Sequence, residues 1–120
     1  VNAKDTGSYY VPEHIAQYIV DRTLQAWLRD FINYDFDKIQ KLGESVRKIL
    51  LDIVKGMRIL DPAVGDGIFL CAAADNLLRL RQSLCELKSA ESIRKDIVRC
   101  LDGVDIVKQT VSNCIKNLAK

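Results

Sequence analysis

Midway along the chain a short apolar run, Met57 to Leu60, ends in Asp61-Pro62-Ala63-Val64-Gly65-Asp66-Gly67, and a strongly apolar pattern of helical period starts at Ile68. The run is too short for a helix and reads as a buried strand. Two glycines two apart let the backbone bend sharply, and a helix leaves the turn. After an intervening helix a second run, Leu101 to Ile106, reads as another short strand interrupted by Gly103. Strand, crossover helix, strand implies an α/β unit with parallel strands. Two strands do not complete a doubly wound sheet, so the pattern is the front of such a domain.

Helices dominate the rest. Residues 1–11 read as an extended arm, and Pro12 suits a first helical turn. Ala16, Val20, Leu24, Trp27, Leu28 and Phe31 then recur at spacings of three and four, an amphipathic helix with Trp27 in its core face. Asn33 to Asp37 reads as a turn. Phe36, Ile39, Leu42, Val46, Ile49, Leu50 and Ile53 mark a second stripe, which Gly43 weakens by about 1 kcal/mol and can split. Gly56 is a candidate left-handed cap. The helix from Ile68 is expected to reach Leu87, with Leu87 on its apolar face. Ser89 is expected to cap another helix with Ile93, Ile97 and Val98 inside. A last helix holds Val107, Val111, Cys114, Ile115 and Leu118. The division expected is an N-terminal arm with helices over 1–56 and an α/β unit over 57–120, cut short. A chain that opens on Val1 and stops at Lys120 within a helical pattern reads as a segment of something longer.

Charge narrows the functions. Eighteen Lys and Arg against sixteen Asp and Glu give +2, too little to announce nucleic acid by charge alone. Arg79, Arg81 and Lys88 read as a solvated helix face. The longest uncharged run, Gly67 to Ala74, is far below the roughly 20 residues that span a bilayer. No metal site is expected: Cys71, Cys85, Cys100 and Cys114 are too widely spaced for zinc, and the lone His14, read as exposed, completes no ligand set. Mostly buried, reduced thiols fit a cytoplasmic protein.

The turn itself carries chemistry. Orphan N–H groups at a helix start face whatever approaches the glycines. The nicotinamide fingerprint G-x-G-x-x-G fails, because Leu70 stands at the third glycine. Asp61, four residues before Gly65, would repel a pyrophosphate. A ligand with an ammonium and no phosphate fits better, and S-adenosylmethionine has that character. A simpler reading remains open, in which the glycines serve geometry alone. Asp105 ends the second strand, where an acid can accept from ribose hydroxyls. Its distance from Gly67 exceeds the usual gap of about 20, as the inserted helix would require. Taken alone it reads better as a helix N-cap, and coupled to the glycine turn the ribose role is favoured. Ile106 would pack on an adenine face.

At this point a resemblance enters. Asp61-Pro62-Ala63-Val64-Gly65-Asp66-Gly67-Ile68-Phe69-Leu70 resembles the D-P-A-x-G-x-G-x-F-L motif I of amino-directed DNA methyltransferases. Gly7-Ser8-Tyr9-Tyr10-Val11-Pro12 is similar to their motif X, commonly G-x-Y-Y-T-P, and precedes motif I as in the gamma arrangement. Cys100-Leu101-Asp102-Gly103-Val104-Asp105-Ile106 is similar to the family's next strand. The three motifs bracket nearly the whole chain. They look most like the adenine-N6 methyltransferase module of type IIG restriction–modification enzymes, with type I modification subunits close behind.

The resemblance implies a Rossmann-like methyltransferase domain, front part only, with S-adenosylmethionine as cofactor and double-stranded DNA as partner through parts outside this chain. Asp61 would hold the methionine end, with Pro62 also counted as cofactor-binding. Ala63, Gly65 and Gly67 would line it, and Phe69 would support the turn from behind. Asp105 would bind ribose and Ile106 would cover adenine. Tyr10, Val11 and Pro12 would close over the methionine carboxylate; Tyr9 and Tyr10 read equally well as anchors of the arm. The family usually has Thr at the position of Val11, and losing that cap should cost about 1 kcal/mol. The family's catalytic N/D/S-P-P-Y/F has no counterpart, since Pro12 and Pro62 are the two prolines, so no catalytic residue is assigned and the isolated chain is expected to be inactive. The competing class is a helical interaction module that keeps the turn without binding a cofactor. Two sheet edges left open would also invite self-association.

Overall fold

The computed structural model describes residues 11–29, 36–84, 86–104 and 115–119. Its elements are α1 (Glu13–Leu28), α2 (Phe36–Ile39), α3 (Glu44–Lys55), β1 (Ile59–Asp61), α4 (Ile68–Ser83), α5 (Ala90–Val98) and β2 (Leu101–Gly103). A helical turn follows at 115–118. The two strands pair in parallel, Ile59 opposite Leu101 and Asp61 opposite Gly103, so the α/β unit forms with its expected sense. Arg58 and Asp102 add an exposed ion pair across the same register at 2.9 Å.

One core ties the helices to the strands. Ala16, Val20, Leu24 and Leu28 of α1 bury against Ala72, Ala73, Leu77 and Leu80 of α4, together with Ile39, Leu50, Val54, Ile93 and Ile97. Small residues on α4 allow the close approach. Asn76, 1% exposed, fixes the pairing: its Nδ2 donates to Gln17 Oε1 and to the Ala72 carbonyl, both at 2.9 Å, and its Oδ1 accepts from Arg79. Every polar atom of that buried amide side chain is thereby engaged.

Several expectations are corrected. Trp27 is 40% exposed, because the helical period carries the inner row from Leu24 to Leu28 and leaves residue 27 at its rim. The second stripe does divide at Gly43, which becomes the N-cap of α3. The new helix starts on its own phase, so Val46 and Ile49 face solvent while Leu50 and Val54 turn inward. Phe36, which the sequence places both in a turn and at the head of the second stripe, opens α2. Gly56 is right-handed (φ −82°, ψ −6°), and its N–H closes the helix on the carbonyls of Asp52 and Ile53. β1 is not fully buried: Leu60 is exposed, since successive strand side chains point to opposite faces and the described residues leave its face uncovered. α4 stops at Ser83, where the Glu86 N–H turns back to the Arg81 carbonyl, and Leu87 is left in solvent. Arg81 is buried rather than solvated. Ser89 caps α5 as expected, its Oγ accepting from the Ser92 N–H at 3.2 Å. No described helix is long and apolar enough to cross a membrane.

Candidate functional site

The turn after β1 takes the shape its sequence requires. Gly65 (φ 55°) and Gly67 (φ 91°) both occupy the left-handed region, where side chains other than glycine are strained. Gly67 is the N-cap of α4, and its carbonyl accepts from the Cys71 N–H at 2.8 Å. A β-carbon at Gly65 would meet nothing within 4 Å, so the space over that backbone is open to an approaching molecule.

Asp61 is the polar group of the site. Its Oδ1 accepts from the Ala63 N–H at 3.0 Å, a local bond that shapes the start of the turn. Its Oδ2 is buried and has no hydrogen-bond partner among the described residues. A buried carboxylate oxygen left in that state costs free energy, and an incoming N–H or O–H donor would recover it.

Asp61, Pro62 and Phe69 line one cavity of about 320 Å³. Its opposite wall is the outer face of α1, with Ile19, Thr23 and Trp27, and its length follows Met57 to Pro62. Sequence reasoning did not find this wall. The exposed apolar positions of α1 were its signal, since Ile15, Ile19 and Trp27 fall beside the buried row. A second hollow of about 230 Å³ lies between the starts of α1 and α4, against Glu13, Gln17, Asp66, Ile68 and Cys71. Asn117 from the C-terminal turn reaches the Asp66 carbonyl there at 3.0 Å.

The arm enters differently. Pro12 itself is the N-cap of α1 (φ −58°, ψ 144°), and its carbonyl accepts from Ile15 and Ala16. Residue 11 therefore stands outside the cap, and the cap loss expected from valine there does not arise. Val11 packs against the main core, and neither Val11 nor Pro12 lines the cavity beside Asp61. Tyr10, Asp105 and Ile106 lie outside the described residues, as do Tyr9, Cys85 and Cys114. His14 is exposed, and Cys71 and Cys100 are half-buried thiols. No group of His, Cys, Asp and Glu among the described residues is arranged to hold a metal ion.

Comparison with known proteins gives one relationship. Over an alignment of 127 positions the chain is 33% identical to the protein named "Putative type II restriction enzyme and methyltransferase" of Methanocaldococcus jannaschii. The match takes in 86% of this chain and 11% of that protein, so the chain spans a small part of its relative's length. No family model matches the chain, and no solved structure matches it.

Proposed function

We propose that this chain is the S-adenosylmethionine-binding part of a restriction–modification DNA methyltransferase, of the adenine-N6 type in the gamma motif order. The observation that carries the reading is the unpartnered, buried Oδ2 of Asp61 at the end of β1, beside a turn with two left-handed glycines and a helix start. An ammonium donor satisfies that oxygen; a phosphate would be repelled by it. The motif resemblance and the restriction–modification methyltransferase relative support the same choice.

On this reading residues 57–120 begin a Rossmann-like domain, and residues 1–56 supply the arm and the helices packed on it. Asp61 accepts from the methionine amine, while Ala63, Gly65 and Gly67 offer backbone, the two glycines with no side chain in the way. Phe69 and Pro62 form the apolar wall. Tyr10 closes one side, without Val11 and Pro12, which stand away from the cavity, and Asp105 and Ile106 take the ribose and adenine. Bound S-adenosylmethionine supplies an electrophilic methyl on sulfonium. This chain holds it; the groups that present the adenine amine, and the contacts to double-stranded DNA, belong to other parts of a longer protein.

Calorimetric titration of S-adenosylmethionine tests this, on the 120-residue chain and on the chain with its flanking reading frame. Asp61→Ala removes a charge-assisted bond worth about 1.5–3 kcal/mol, so affinity should fall by roughly 10- to 100-fold. Failure of both wild-type forms to bind, or binding unchanged in a folded Asp61→Ala, refutes the proposal. The second reading, a helical interaction module without a cofactor, draws on the exposed apolar row Ile15, Tyr18, Ile19 and Trp27, and would leave the titration flat.

A further inference from the structure

The glycine turn is fastened to the end of β2 by a residue to which the motif gives no role. Val104 N–H donates to the Asp61 carbonyl at 3.0 Å, and Val64 N–H donates to the Val104 carbonyl at 2.8 Å, closing a ring of backbone bonds. The Val64 side chain, 3% exposed, lies over Gly103. A β-carbon on residue 103 would stand 2.6 Å from Val64 Cγ2, 2.8 Å from Val64 Cβ and 3.1 Å from Leu70 Cδ1. Gly103 belongs to β2 and has no positive φ, so lack of space alone forbids a side chain there. Val64 and Leu70, with Ile59, Leu101 and Leu118 against them, form a second apolar cluster. That cluster draws on the turn, both strands and α4 at once.

We infer that Val64 is a positioning residue. Seated in the space Gly103 leaves empty, it locks residues 61–67 onto β2. The Asp61 carboxylate and the left-handed backbone at 65 and 67 are then held in one arrangement before a ligand arrives. A turn without such a lock would have to be ordered by its ligand, and that ordering subtracts from affinity. The inference rests on the S-adenosylmethionine reading for the ligand's identity only; the lock stands on contacts within the chain.

A double-mutant cycle on Gly103→Ala and Val64→Gly tests it, with two readouts: amide exchange at Val104, followed by NMR, and S-adenosylmethionine affinity. In the wild-type background Gly103→Ala should speed exchange at Val104 and weaken binding on the order of tenfold or more, as small displacements of a binding group do. In the Val64→Gly background the same substitution should change both far less, because the two Val64 atoms it would strike are gone and only the tip of Leu70, 3.1 Å away, has to give way. Equal effects in both backgrounds, or no effect in either, overturn the lock. Should Gly103→Ala fail to fold, Val64→Ala decides the same question. It empties the seat without adding bulk, so exchange at Val104 should rise and binding weaken while the thermal midpoint stays cooperative; unchanged values overturn the lock. Coupled exchange in a chain that binds no S-adenosylmethionine refutes the cofactor reading and supports the lock.

Discussion

A guanidinium with 2% of its surface exposed has almost no water to fall back on, so the charge of Arg81 is met inside the protein. Glu86 takes Nε and one terminal nitrogen at 2.7 and 2.9 Å, and Asp96 accepts from the same terminal group at 2.7 Å. Lys55 reaches Glu86 at 3.7 Å, so α3, α4 and α5 meet at one cluster. Burial works to lower the Arg81 pKa, and the hydrogen bonds to Glu86 and Asp96 outweigh it and raise it. Arg81→Met should destabilise the fold by about 3–5 kcal/mol, since it strands Glu86 in the interior. Urea denaturation measures this, and a change under 1 kcal/mol (roughly the worth of a surface pair) would show the cluster to be dispensable. The position of Arg81 was legible in its spacing from Leu70 and Leu77 on α4 and from Leu84 at its C-cap. Its charge argued the other way, and of its two acids Glu86 follows just beyond the helix end while Asp96 comes from α5, which only the folded chain brings near.

At the scale of elements, α1 and α4 follow from apolar spacing alone, and Gly43 divides its stripe as its low helix propensity suggests. The turn at 61–67 was equally readable, since left-handed backbone at Gly65 and Gly67 is a local demand of the chain. What spacing could not give is the outer face of α1. Ile15, Tyr18, Ile19 and Trp27 remain exposed beside an open edge of β1, and a periodic pattern marks apolar positions without saying what covers them. Trp27 is the single tryptophan and stands in the wall of that cavity, so it reports on the face directly. Acrylamide should quench its fluorescence in the native chain nearly as well as in urea. Strong protection in the native state would mean that the face is covered.

For the molecule as a whole, the ion cluster sets the response to acid. Glu86 and Asp96 both have lowered pKa values, in each case because Arg81 donates hydrogen bonds to the carboxylate, against the opposing effect of burial. The unfolded chain therefore binds more protons in the acidic range. The stability these groups contribute is fully present above the ordinary carboxylate range, near pH 4, and is lost as pH falls through their lower folded values. Urea midpoints taken from about pH 7 down to about pH 3 should fall, and the fall should flatten in Arg81→Met. A fall equally steep in that variant would assign the acid sensitivity elsewhere. The same architecture imposes an order of assembly. Helices can form from neighbours in sequence, but Ile59 finds Leu101 only across about 40 residues of intervening chain, a closure that is slow compared with helix growth. Val64 waits for Val104 across a similar span. During synthesis the turn is thus exposed on the ribosome well before its anchor exists, and it acquires its final shape only when the last residues of β2 emerge. If the turn holds a ligand as proposed, competence to bind it arrives only then, as a signal that the crossover has closed.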